Sequence, residues 1–268
     1  MVAYLSPQIS LLIEAVKKAS SSMDRDFNEI EQLQSSVKGY KQFVLGTYDK
    51  VKRILQTELG KIHPDYPIVD VASKLPSKGG CWLVSPIDGL FNFAHGIPYF
   101  ALSAALYDGE KIICAVVYNP ALDVLYFAER GKGAFKEGYR NHERLRVSAR
   151  KELSESLIST LVSYDKSVAE YDKIQKAIVS SCDNIRVSGC CSLDLAYVAA
   201  GKLDAHISLN NNLADYAAGL LLVKEAGGYV FDVHQKDVRS ENLDAVLRSG
   251  DLIVTNAELS KKVCDLFK

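Results

Sequence analysis

The stretch from Trp82 to Phe100, WLVSPIDGLFNFAHGIPYF, constrains the fold more than any other part of the chain. Trp82-Leu83-Val84 is an apolar run short enough for a buried strand. Pro86 lacks an N–H and Asp88-Gly89 is a strong turn signal, so Ser85 to Gly89 reads as a break in that strand. Leu90 to Gly96 then supplies one or two helical turns closed by a glycine. A strand, a tight turn and a helix start gather the Asp88 carboxylate and several free backbone N–H groups at one point. That arrangement suits an anion or a metal–phosphate pair. The plainer reading has Asp88 capping the short helix that follows it.

Bulk properties narrow the classes. A chain of 268 residues allows one large domain or two sub-domains sharing a core. A formal net charge of -1 and a pI near 6.5 give no electrostatic ground for binding nucleic acid or membranes. No apolar run approaches the roughly 20 residues of a membrane helix, and MVAYLSPQIS lacks the basic-then-apolar pattern of a signal peptide. Six cysteines (Cys81, Cys114, Cys182, Cys190, Cys191, Cys264) contain no C-x-x-C spacing and read as reduced, mostly buried thiols of a cytoplasmic protein. The five histidines are scattered, which argues against a zinc site.

Periodicity divides the chain into an N-terminal α+β half, 1–148, and a C-terminal α/β half, 149–268. Residues 7–36 carry apolar positions at helical spacing after Ser6-Pro7, and a second helix is expected from about Tyr48 to Leu59, ending at Gly60. Phe43 to Gly46 reads as a short strand or hairpin arm, and Ile68 to Val71 as a strand followed by an exposed loop from Ser73 to Gly80. Strands at Phe100–Leu106, Ile112–Tyr118, Val124–Ala128 and Ala134–Phe135, separated by turns, predict an antiparallel meander. After Ser148, strands at Leu157–Val162, Ile185–Val187, Ala205–Leu209, Tyr229–Asp232 and Leu252–Thr255 alternate with helices at Val168–Ser180, Ser192–Ala200, Ala214–Ala226 and from Ala257. A meander followed by β-α-β units argues for stacked layers.

Four segments in order carry a family resemblance: SPIDGLFNFAHGIPYFALSAAL, GKGAFKEG (Gly131 to Gly138), LDLAYVAAGKLDA (Leu193 to Ala205) and LADYAAGLLLVKEAGG (Leu213 to Gly228). They resemble the signatures of the inositol monophosphatase family of magnesium-dependent sugar-phosphate phosphatases, and the third looks closest to its bacterial extragenic-suppressor branch. The resemblance implies the five-layered α-β-α-β-α sandwich of the inositol monophosphatase and fructose-1,6-bisphosphatase type. It also implies a homodimer, and for that branch a partner in the transcription machinery.

Hydrolysing a phosphomonoester with Mg²⁺ requires several carboxylates in one pocket, and this is where the chain departs from the family pattern. By the resemblance, an acidic metal ligand ahead of the second helix is Tyr48 here, with Asp49 beside it. The family's Glu-Glu pair is Val71-Ala72, with Asp70 one position early. The bridging Asp of the first signature is Ser85, its water-placing Thr is Leu90, and a sugar-binding Glu is Ser208. Leu90 and Val71 thus stand at family catalytic positions. Asp88, Asp215 and the Ile87 carbonyl remain as a weak residual metal set, and Gly89, Leu90, Gly189 and Cys190 as anion- or substrate-binding positions. Whether Asp49 or Asp70 replaces a lost ligand stays open in the sequence. The preferred reading is a family member that has lost Mg²⁺-dependent catalysis and works by binding a protein, a small anion or a polyol. The alternative is a weakly active Mg²⁺-dependent inositol-1-monophosphatase or sugar-phosphate phosphatase. The basic run Arg140, Arg144, Arg146 and Arg150 offers a partner patch or a solvated face.

Overall fold

The computed structural model describes residues 5–33, 40–70, 75–138, 141–162, 168–182, 184–234 and 243–267. Three helices open the chain: α1 (Pro7–Ser20), α2 (Met23–Leu33) and α3 (Tyr40–Ile62). Ser6 caps α1 by accepting the Ile9 N–H, with Pro7 at the first helical position, where no N–H is needed. The helical run expected over 7–36 is therefore broken after Ser20. Phe43 to Gly46 is not a strand but part of α3. Val44, Val51, Leu55 and Leu59 are buried at helical spacing, and this stripe carries the helix through both Gly46 and Gly60.

The first sheet contains β1 (Ile68–Val69), β2 (Cys81–Asp88), β3 (Ala101–Tyr107), β4 (Ile112–Asn119), β5 (Val124–Glu129), β6 (Gly133–Lys136) and β7 (Glu143–Arg144), ordered as in the sequence. β1 is parallel to β2 and every other pair is antiparallel. The second sheet contains β8 (Leu157–Val162), β9 (Asn184–Arg186), β10 (Ala205–Leu209), β11 (Tyr229–Asp232) and β12 (Leu252–Thr255), in the order β11-β12-β10-β8-β9. Here β8 runs parallel to β9 and β10, while β12 is antiparallel to β10 and β11. The remaining helices are α4 (Leu90–Ala94), α5 (Val168–Val179), α6 (Cys191–Ala199), α7 (Leu213–Glu225), α8 (Leu243–Ser249) and α9 (Ala257–Asp265). No sequence signal pointed to α8.

Alternation along the strands sets the layers. Trp82, Val84, Leu102, Leu106, Val116 and Phe127 face one way and pack with Leu12, Val16, Phe27 and Leu55 of α1–α3. Leu83, Ala101, Ala105, Val117 and Ala128 face the other way, against Leu195 of α6 and Leu221 of α7, which also meet Val230 and Val254 of the second sheet. Ile158, Ile207 and Ile253 cover its far side with Ile174 of α5 and Leu259 of α9. The five layers are helix, sheet, helix, sheet, helix. Both α6 and α7 carry apolar residues all round, as helices sandwiched between two sheets must.

One local irregularity positions the site. The break expected at Ser85 to Gly89 is instead a bulge, and β2 runs on through Pro86 to Asp88. Ser85 pairs with Ser103 and Asp88 with Ala101, so three steps on β2 oppose two on β3. Without the extra residue Ser85 and Asp88 would face opposite sides; with it both face α6 and α7. Pro86 is tolerated because the bulge leaves a residue outside the ladder.

Candidate functional site

The site lies where the end of β2 meets the N-termini of α6 and α7. Ser85 Oγ donates to Asp215 Oδ1 at 2.6 Å, and Asn212 Nδ2, from the residue capping α7, donates to Asp215 Oδ2 at 3.2 Å. Asp88 Oδ2 accepts the Ser192 N–H at 2.6 Å, the Ser192 hydroxyl at 2.6 Å and the Cys190 thiol at 3.3 Å. Asp88 is therefore a cap, but of α6 rather than of the short helix that follows it. Its charge sits at the positive end of the α6 dipole.

Both carboxylates are buried. Burial pushes the Asp88 carboxyl above the ordinary carboxylate range, the Asp215 charge adds to this, and the Ser192 and Cys190 hydrogen bonds oppose it. Burial likewise raises Asp215 against the hydrogen bonds from Ser85 and Asn212. Among the described residues, every donor to either carboxylate is neutral.

The other predicted positions fall around this pair. Tyr48 is turned inward on α3, while Asp49 is exposed. Burial first, and then the charges of Asp70, Asp215 and Asp49, push the Tyr48 hydroxyl up to about 12. α3 is continuous across Leu45-Gly46-Thr47, with Tyr48 packed against the α1–α3 core. Asp70 is held by Lys52, Nζ to Oδ2 2.5 Å. Gly89 has a φ of +79°, and a Cβ there would lie 3.0 Å from the Tyr99 carbonyl oxygen, so glycine lets the turn close against its neighbours. Leu90 is half-buried and Ile87 fully so, both packed with the α1–α3 layer.

Ser208, on β10, is buried with no hydrogen-bond partner for its hydroxyl among the described residues. Gly189 (φ +80°) abuts Asn92, whose Nδ2 donates to the carbonyls of Tyr99 at 2.7 Å and Ser188 at 2.8 Å. Cys190, an anion-binding position by the family resemblance, is fully buried with its thiol turned to Asp88. Burial and then the Asp88 charge raise the Cys190 thiol well above its usual value. Val71 and Ala72 lie outside the described residues.

The sequence reading missed Ser192, Asn212 and Lys52. The first two stand at helix starts and Lys52 one turn beyond Tyr48, positions whose carboxylate partners only the tertiary fold reveals.

The profile described as "Inositol monophosphatase family" matches residues 5–268. The chain belongs to the inositol monophosphatase family. It is 38% identical over 268 residues to an Inositol-1-monophosphatase of Rhizobium meliloti (strain 1021), covering 98% of this chain and 97% of the relative. It is 32% identical to the Nus factor SuhB of Xylella fastidiosa (strain Temecula1 / ATCC 700964), covering 86% of this chain and 84% of the relative. Among solved structures, the native extragenic suppressor protein suhB from Bartonella henselae superposes with a TM-score of 0.83 at 35% identity, over 98% of this chain and 99% of that one. The layered fold above is thus that of inositol monophosphatase family members. The family normally uses Mg²⁺, an ion that favours a near-octahedral oxygen set including carboxylates. Among the described residues, no three His, Cys, Asp or Glu side chains form a group suited to a metal ion.

Proposed function

We propose that this inositol monophosphatase family member has lost Mg²⁺-dependent phosphatase activity and acts by binding a protein partner, a small anion or a polyol. One observation carries the reading: a serine hydroxyl, Ser85, stands where the family places its bridging carboxylate, and it donates to Asp215 at 2.6 Å. The remaining acids are already engaged. Asp215 accepts at both oxygens, Asp88 accepts three donors at one, and Tyr48 fills a further ligand position. That donor set does not fit magnesium. The likeness to a relative named Nus factor SuhB supports a binding role in a transcription-linked assembly. A homodimer and a cytoplasmic location belong to the same proposal.

The second reading is a weakly active Mg²⁺-dependent inositol-1-monophosphatase, and 38% identity to a relative of that name favours it. Calorimetric titration with Mg²⁺ and Mn²⁺, run alongside phosphate release from inositol 1-phosphate, separates the two. The first reading expects no heat of binding at millimolar metal and no turnover. Magnesium-dependent turnover abolished by Asp88→Asn overturns it.

A further inference from the structure

A separate pocket opens between the loop joining β10 to α7 and the end of α8. Its volume of about 400 Å³ falls within the roughly 300–1,000 Å³ of small-molecule sites. None of Asp88, Ser192, Ser208 and Asp215 lines it. Leu75, Leu213 and Leu247 give it an apolar side, while Asn210, Asn212 and Arg248 supply polar groups. The local sequence builds this shape. Asn210 ends β10 with a φ of +52°, a left-handed conformation that asparagine tolerates. Its N–H donates to Asp251 Oδ1 at 2.6 Å, and the Asn211 N–H donates to the Gly250 carbonyl at 3.0 Å. A side chain at Gly250 would strike the Asn211 carbonyl oxygen, so glycine lets the two loops meet. The Tyr216 hydroxyl donates to the Val246 carbonyl at 3.0 Å and ties α7 to α8. These bonds hold the walls without using the groups the pocket presents. Among the described residues, the exposed Arg248 guanidinium and the Asn210 side-chain amide have no partner. Asn212 gives an N–H to Asp215 Oδ2 and keeps its amide oxygen for another donor.

We propose that this pocket binds a small hydroxylated monocarboxylate, such as a sugar acid, with Arg248 on the carboxylate and Asn210 and Asn212 on the hydroxyls. The inference deepens the reading above that the protein binds a small anion or polyol without turnover, and it rests on that reading. The guanidinium is a planar fork that matches a carboxylate with two parallel hydrogen bonds. Side-chain amides donate and accept, as the hydroxyls of a polyol do. The leucine side takes the C–H face of the carbon skeleton. Charge fixes the ligand at one negative group. Arg248 is the one basic residue in the last turn of α8, whose terminal carbonyls carry the negative end of the helix dipole. A phosphate dianion would leave its second charge unbalanced beside them.

The test is calorimetric titration of the full chain in EDTA with three probes: glucuronate, glucose and inorganic phosphate. Glucuronate should bind with a Kd of about 1 mM or tighter and raise Tm. Glucose lacks the charge and phosphate lacks the hydroxylated body, so each should bind about tenfold more weakly or worse. Arg248→Gln should weaken glucuronate about tenfold while leaving the Tm of the ligand-free protein unchanged, because the side chain is exposed. Asn210→Gly keeps the left-handed backbone, removes the amide and should weaken glucuronate several-fold. No glucuronate binding to the parent overturns the proposal. So does an affinity that Arg248→Gln leaves intact, or one that glucose or phosphate equals. Mg²⁺-dependent phosphate release from inositol 1-phosphate by the parent overturns the proposed function, whatever glucuronate does. With no such release and no Arg248-dependent binding, only the pocket inference falls.

Discussion

Two sets of buried aspartates sit in this molecule under opposite electrostatic regimes. Asp204, just ahead of β10, accepts the Ser148 hydroxyl at 2.6 Å and the Arg150 guanidinium at 3.0 Å on Oδ1, and the Leu157 N–H at 2.8 Å on Oδ2. Asp88 and Asp215 are buried like it, yet their donors are hydroxyls, a thiol, an amide and one backbone N–H. The carboxylate that holds the fold together has a built-in counterion. Among the described residues the pair at the candidate site has none, and burial raises both of its carboxyls. Asp204 thus gains an attraction that offsets part of its desolvation, whereas neutral donors alone offset that of Asp88 and Asp215.

The largest effect expected from this contrast is at Asp204. Replacing it with alanine strips acceptors from Ser148, Leu157 and Arg150 at once and unties β8 from the segment joining the two sheets. We expect a loss of about 3 kcal/mol, read from the urea midpoint. A loss under about 1 kcal/mol would mean that the Asp204 cluster is no more structural than the site pair. The next largest is Ser85→Asp. It sets a third carboxylate against Asp215, where Ser85 now donates, and in EDTA should cost about 2 kcal/mol through desolvation and like-charge repulsion. Millimolar Mg²⁺ should recover most of that loss as a rise in Tm. A variant as stable as the parent in EDTA would show that the site accepts unpaired charge freely, and the comparison would fail.

Much of this architecture was legible in the sequence, and the misses share a cause. Apolar periodicity marked most strands and helices, because burial on alternating faces leaves a strong signal in strands such as β3 and β4. It failed at Phe43 to Gly46, where a glycine and β-branched neighbours imitate a strand but the stripe of Val44, Val51 and Leu55 continues a helix. It also failed at Pro86, since a bulge is set by the pairing of β2 with β3 and not by local propensity. The motif GKGAFKEG and the EAGG end of α7 were both visible, yet their link was not. Glu225 accepts the N–H groups of Gly131 at 2.8 Å and Gly133 at 2.9 Å, a contact across 94 and 92 residues. At the site, Asp88 and Asp215 stood out by type. Their partners Ser192 and Asn212 did not, because a serine or asparagine at a helix start is common and only the tertiary fold says whose carboxylate it serves. Lys52 was hidden for the same reason: its role depends on where β1 delivers Asp70.

The smallest expected effect is the sharpest test of the comparison. Asp88→Asn keeps an oxygen that can accept the Ser192 N–H, gives up the weaker bond from the Cys190 thiol, and removes a buried charge that no cation among the described residues balances. These terms oppose each other, so the variant should lie within about 1 kcal/mol of the parent in stability. The same change at Asp204 should cost clearly more, because Asn cannot hold the Arg150 guanidinium as a carboxylate does. Chemical denaturation of the two asparagine variants side by side, in EDTA, gives the difference directly. If Asp88→Asn loses as much as Asp204→Asn, the Asp88 charge is stabilising where it stands. The site would then contain a counterion, and the distinction drawn between structural and residual carboxylates would be wrong at its centre.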